Sequence, residues 1–189
     1  MIRRVVLPLL LVAGLWQIAA AGWIHAKAWL AETLIVDAWN RTRQAGDRAP
    51  PWPWADTWPV ARMEVPRLGV QQHILAGGHG RALAFAPGWI EGTALPGSQG
   101  SSVISGHRDT HFRFLKSLRR NDRILIHRPA GTTVQYVVEE LQVVHERAGW
   151  FLLPDVRAQL LLLTCYPFDA LTPGGPWRYL VTARHAGPA

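Results

Sequence analysis

The chain carries a single thiol, Cys165, and eight histidines, so nucleophilic chemistry at sulfur with an imidazole as proton partner is the first reaction class to weigh. A free thiol with a pKa near 8.5 is only roughly 3% ionised at pH 7, and an imidazole with a pKa near 6.5 is roughly one-quarter charged. A neighbouring imidazole therefore favours the thiolate and can return a proton to a departing amine. Cys165 ends the apolar run QLLLLTC, directly after Thr164, and Tyr166-Pro167-Phe168 breaks the run behind it. A strand end fixes a side chain while leaving it open to a ligand. His107 stands one glycine beyond Ser102-Val103-Ile104-Ser105, at a second strand end, and Gly106 permits close approach of a ligand or a neighbouring backbone. His111 lies where a short helix starts. His73, His127 and His145 fall in or near strands and suit structural or solvent-facing roles; His25 and His185 belong to the termini and His79 to a glycine-rich loop. Acyl transfer also needs a donor for the developing oxyanion. Arg178 opens the last strand after a Pro/Gly turn, and its guanidinium is a fixed, always-charged fork of donors. Taken alone, an arginine there is an ordinary surface residue of a strand.

These groups must be positioned by β structure. Short runs with strand character begin at Ala61: Arg62 to Val65, Val70 to Leu75, Gly100 to Ser105, Asp122 to Arg128, Thr132 to Glu146, Gln159 to Cys165 and Arg178 to Arg184. Gly80 to Pro87 and Thr110 to Leu118 each leave room for about one short helix. Seven or eight short strands in about 130 residues fit a closed barrel better than alternating βαβ units.

Three stretches in this order resemble the motifs of sortases, the cysteine transpeptidases of bacterial surfaces: Val103 to Thr110 (VISGHRDT), Leu163-Thr164-Cys165, and Arg178-Tyr179-Leu180-Val181. Each is weak alone; together and at these spacings they are specific. The wording around His107 looks most like the sortases of Gram-negative bacteria. The resemblance implies an eight-stranded β-barrel in which Cys165 attacks a peptide carbonyl of a C-terminal LPXTG-like sorting signal. A thioacyl-enzyme would form, His107 would serve as acid and then base, and Arg178 would hold the substrate backbone or the oxyanion. Thr164 and Gly106 would support the substrate or the oxyanion. Implied partners are surface proteins bearing sorting signals and an amine acceptor. Leu162 and Leu163 stand where the family motif often has polar residues, which keeps the floor apolar.

The remaining sequence sets the address. Val5 to Ile24 has no charged side chain after Arg3-Arg4, and twenty residues at about 1.5 Å rise span about 30 Å, enough to cross a hydrocarbon core. An uncleaved signal-anchor is the expectation, with a signal peptide cleaved near Ala19-Ala20-Ala21 as the alternative. The expected plan is a transmembrane segment over 1–27, a linker over 28–60 and a catalytic barrel over 61–186. Within the linker, Ala28 to Trp39 has helical, one-sided apolar character, and Arg41 to Pro59 interleaves prolines with Trp52, Trp54 and Trp58 in an extended, semi-rigid segment. The barrel is expected on the extracytoplasmic side of the cytoplasmic membrane.

Composition closes off other classes. Hydrophobic residues make up 49% and charged residues 17% of the 189, which excludes a disordered chain. One cysteine excludes a disulfide framework and a Cys-based zinc site. His107 and His111 have i,i+4 spacing but lack the glutamate of a zinc hydrolase motif, so no metal and no cofactor are expected. The net charge of +7 includes a basic run, Arg108, Arg113, Lys116, Arg119, Arg120 and Arg123, best read as solvated; export argues against nucleic acid. The alternative from another class is an inactive, membrane-tethered barrel that only binds peptides.

Overall fold

Strand-forming residues alternate between two faces, and here the inward set is almost wholly aliphatic. In the computed structural model, which describes residues 2–78, 80–148, 158–170, 172 and 174–188, this alternation closes a barrel. His79 lies outside the described residues. The strands are β1 (Pro59–Val65), β2 (Val70–Ala76), β3 (Gly88–Trp89), β4 (Ser101–Ser105), β5 (Arg123–His127), β6 (Thr133–His145), β7 (Gln159–Cys165) and β8 (Trp177–Pro188). Their order around the barrel is β1-β2-β3-β4-β7-β8-β6-β5, closed by antiparallel pairing of β1 with β5. Closure leaves no unpaired sheet edge. The eight-stranded barrel implied by the sequence is the fold observed.

Met63, Ile74, Ile104, Ile124, Ile126, Tyr136, Leu160, Leu162 and Val181 fill the interior, with Phe112 and Leu115 joining from the segment around a short 3₁₀ helix, Arg113–Ser117. Burying each such side chain contributes on the order of 1.5–3 kcal/mol. The residues between them point outward. Val103, Val144, Leu161 and Leu180 form a second, smaller apolar cluster on the outer face, with Ile90 and Leu163 packed beside it. Most neighbouring strands run antiparallel, but β4 and β7 are parallel, paired from Ser101↔Gln159 to Ser105↔Leu163. Parallel neighbours end at the same rim, which the site exploits.

One helix, α1 (Ile2–Ala45), precedes the barrel. It is long and apolar enough to cross a membrane. Leu9, Leu10, Leu11, Leu15, Trp16 and Ile18 are exposed around its first half, whereas Ala31, Ile35, Ala38, Trp39 and Thr42 bury one stripe of its second half. Ile35 packs with Leu75 of β2 and with Ala82 and Ala86, from and just after the short helix α2 (Gly80–Leu83). The helix thus extends past Arg41, where the prolines had suggested an extended segment. Prolines begin only at Pro50, and Arg41 is bonded to Asp37 one turn back at 2.8 Å. The tryptophans beyond it pack on the folded body: Trp52 meets Phe85 edge-on at 5.1 Å, and Arg48 lies 4.5 Å over the Trp58 ring. Trp54 is exposed.

Candidate active site

The segments that carry Cys165 and His107 are brought side by side by strand register. In the β4–β7 ladder Ser105 faces Leu163, and the pairing continues beyond the last ladder pair: the Gly106 amide donates to the Leu163 carbonyl at 3.1 Å. The Thr164 hydroxyl then donates to the Gly106 carbonyl at 2.6 Å across a separation of 58 residues. The offset of 58 residues in this ladder equals the separation of His107 from Cys165; β4 itself ends at Ser105, and His107 lies in the loop just beyond it. On the other flank, β8 runs antiparallel to β7 and pairs Cys165 with Arg178. Cys165 therefore ends a strand flanked by β8, which carries Arg178, and by β4, whose following loop carries His107.

Side-chain alternation decides which face each group takes. Leu160 and Leu162 point into the barrel and Leu161 and Leu163 point out. Thr164 accordingly is turned inward and buried at 3% exposure, while Cys165, a free cysteine, is turned outward and half-buried. Tyr179, opposite Thr164, packs against the interior cluster, and Arg178, opposite Cys165, shares the outer face with Leu180. His107 is exposed at the rim. Val103, Leu161 and Leu180 on that side of the sheet are themselves buried, with Ile90 and Leu163 packed against them.

The support around these groups differs in two respects from expectation. Gly106 is required by a close approach, but the approaching group is internal. A Cβ there would meet the Phe112 ring at 2.8 Å, so Phe112 occupies the space that a ligand was expected to need. Thr164 does supply a hydrogen bond, and it goes to the backbone of the His107 loop rather than out toward the groove. Both residues hold the site in shape from beneath.

Arg178 is partly covered, and its guanidinium is engaged. Nη2 donates to Glu146 Oε2 at 2.7 Å, and Nη1 donates to the carbonyls of Trp177 at 2.9 Å and Gly175 at 2.5 Å. Glu146 begins the 3₁₀ turn Glu146–Ala148 after β6, and its amide donates to Pro176 at 2.7 Å. No hydrogen bond joins Cys165 to His107 or Arg178 among the described residues; the three share a rim without touching through polar atoms.

Sequence reasoning missed Arg108. It was grouped with the solvated basic run, yet it is 4% exposed. Its Nη1 donates to the Pro167 carbonyl at 2.9 Å, and its Nη2 to those of Ala170 at 3.1 Å and Thr172 at 2.7 Å. One guanidinium adjacent to His107 therefore holds the loop that leaves Cys165. The available signal was weak: Arg108 precedes Asp109, and their side chains meet at 3.3 Å.

His111 was set aside as a helix-start residue. It is half-buried, and burial first, then the nearby His107, pushes its pKa below the usual imidazole value. No group of three or more metal-ligating side chains occurs among the described residues.

This arrangement is shared with known proteins. A family model of the sortase domain matches residues 63–186, the barrel with all three candidate groups. Sortase D of Bacillus subtilis (strain 168) is 28% identical over 119 residues, covering 63% of this chain and 60% of that protein. Among solved structures, sortase A from Corynebacterium diphtheriae superposes with a TM-score of 0.62 at 28% identity, over 70% of this chain and 63% of that one. Sortase C-1 from Actinomyces oris gives 0.59 at 30% identity, over 68% and 72%. The chain thus spans less than two-thirds of the length of the first two. Since the family model spans residues 63–186, well over half of the chain and most of the barrel, this chain belongs to the sortase family.

Proposed function

We propose that the protein is a cysteine transpeptidase that cleaves a C-terminal LPXTG-like sorting signal through a thioacyl-enzyme. The observation that carries this reading is the place of Cys165, half-buried at the end of β7, between β8, which carries Arg178, and β4, whose following loop carries His107. In this reading the Cys165 thiolate attacks the carbonyl carbon of the signal's Thr-Gly bond. The resulting oxyanion is met by the Arg178 guanidinium, whose hold on the exposed Glu146 carboxylate is readily exchanged. Collapse breaks the C–N bond, His107 gives its proton to the departing glycine amine, and a thioester remains. An incoming amine, deprotonated by neutral His107, attacks the thioester; the new amide forms and the thiolate leaves.

In the same reading residues 1–27 anchor the chain, with the N-terminus in the cytoplasm and the barrel outside. Surface proteins carrying sorting signals are the substrates. The length and hydropathy of α1 support the anchor, and Arg3-Arg4 before the apolar run supports its direction.

Mass spectrometry of the full-length protein in detergent, after incubation with a set of sorting-signal peptides, tests the proposal. The expected result is an acyl adduct on Cys165 with release of the glycine fragment. It should vanish in Cys165→Ala and His107→Ala and persist in His111→Ala. Peptide binding without any adduct, unchanged in Cys165→Ala, would establish the inactive peptide-binding barrel instead.

A further inference from the structure

A cavity of about 1000 Å³ lies between the second half of α1 and the barrel. It touches none of Cys165, His107 or Arg178. Its walls combine Lys27, Trp29 and Glu32 of α1 with Arg62 of β1, Gln72 of β2 and Phe85. Two polar atoms here lack partners. Arg62 Nε is buried with no acceptor, and Gln72 Oε1 is buried with no donor, although Gln72 Nε2 donates to the His111 carbonyl at 2.8 Å. Among the described residues the Arg62 guanidinium makes no hydrogen bond or ion pair at all. Leaving a buried polar group unpaired is unfavourable, so an unmet cationic donor and an unmet acceptor in one cavity are matched by a ligand of both kinds.

The charges agree. His73, which lines the same cavity, has its pKa lowered to about 4, by burial first and then by Arg62, so it is neutral near pH 7. His111 is shifted the same way. Lys27 and Arg62 remain as cations and Glu32 as the anion, a zwitterionic pattern. Position identifies the source. Lys27 to Glu32 lie three to eight residues past Ile24, the end of the uncharged run, which is about 4–12 Å along a helix axis. Lys27, at about 4 Å, lies within the headgroup layer, about 5–8 Å thick on each side of the hydrocarbon, and Glu32, at about 12 Å, lies just outside it, on the water side. Exposed Trp29 and Phe85 offer the apolar surface that acyl chains need there.

We propose that this cavity seats the headgroup of phosphatidylethanolamine from the membrane that α1 enters, with the phosphate on Arg62 and Lys27 and the ammonium on Glu32 and Gln72. The inference rests on α1 being membrane-inserted and not on the transpeptidase chemistry. A primary ammonium donates to both acceptors; a choline nitrogen carries no hydrogen to donate, and a phosphatidylglycerol leaves Glu32 facing an anionic lipid.

The test supplies the full-length protein in mild detergent with equimolar phosphatidylethanolamine, phosphatidylcholine and phosphatidylglycerol of matched chains, and counts retained lipid by native mass spectrometry. Phosphatidylethanolamine should exceed the other two about tenfold. Glu32→Gln, an isosteric change at an exposed helix position, should abolish the preference over phosphatidylcholine. Arg62→Gln should lower retention of all three, and Arg62→Lys should restore part of it. Equal retention of the three lipids, preference for phosphatidylglycerol, or a Glu32→Gln protein as selective as wild type would overturn the assignment. Displacement of the lipid by equimolar glycerophosphoethanolamine would also overturn it, by assigning the site to a free headgroup. Adduct formation on Cys165 in the same samples reports the catalytic proposal independently.

Discussion

The Thr164 hydroxyl donates to the Gly106 carbonyl at 2.6 Å and so joins the residue before the sulfur to the residue before the imidazole. Removing the hydroxyl while keeping shape, as in Thr164→Val, leaves that carbonyl unsatisfied in a buried setting. The expected loss is about 1–3 kcal/mol in denaturant unfolding. Turnover should fall more than the rate at which a small disulfide reagent modifies Cys165, because the sulfur persists while its alignment with His107 is loosened. Thr164→Ser should recover most of both.

Gly106→Ala tests the packing under the same loop. The new methyl would meet the Phe112 ring at 2.8 Å, and overpacking of this kind costs about 1–3 kcal/mol. Combining it with Phe112→Leu should recover part of the loss that each change causes separately. Strict additivity in thermal unfolding would show that the two do not share the space.

Arg108→Lys keeps a positive charge and removes the fork. Carbonyls of Pro167, Ala170 and Thr172 would compete for a single ammonium, so the loop after Cys165 should loosen. Faster amide hydrogen exchange over Phe168–Ala170 with β7 unchanged is the expected signature, together with a fall in peptide turnover. Unchanged exchange would mean that the three bonds do not restrain the loop.

Arg178 and Glu146 separate chemistry from stability. The pair is partly exposed, so Glu146→Gln should change unfolding free energy by less than about 1 kcal/mol. Arg178→Lys should retain the fold and lose on the order of 100-fold in turnover, since an ammonium cannot present two fixed donors to an oxyanion. Lysine turnover equal to wild type would remove the guanidinium from the reaction.

His73 gives the barrel an acid-sensitive point. Its folded pKa of about 4 lies below the ordinary 6.5, so in that interval the unfolded chain binds a proton that the folded chain refuses. Stability is therefore intact above pH 6.5 and is lost as pH falls from 6.5 toward 4, by up to about 3 kcal/mol. His73→Gln should flatten the pH dependence of denaturant midpoints across that window.

Much of the architecture was legible because its signals are local. β-branched and aliphatic runs around Thr133–His145 and Gln159–Cys165 mark strands without help from tertiary context. The spacing of His107 from Cys165 equals the register offset of β4 against β7, so a sequence number already encoded which two segments run side by side. Other features escaped because distant partners create them. β3 is two residues long and is defined only by pairing with β2 and β4. Arg108 reads as solvated until a loop some sixty residues away folds over it. Glu146 carries no motif; it matters because β6 ends beside Arg178.

The parallel pairing of β4 with β7 has a consequence for synthesis and export. β5 and β6 lie between them in the chain and on the far arc of the closed barrel, so no local hairpin can set the imidazole beside the sulfur. That contact waits for a long-range closure, the slow kind of step in folding. In the proposed reading, a chain emerging unfinished from a ribosome or a translocation pore would hold its thiol without its proton partner, and reactivity would arrive only with the completed topology.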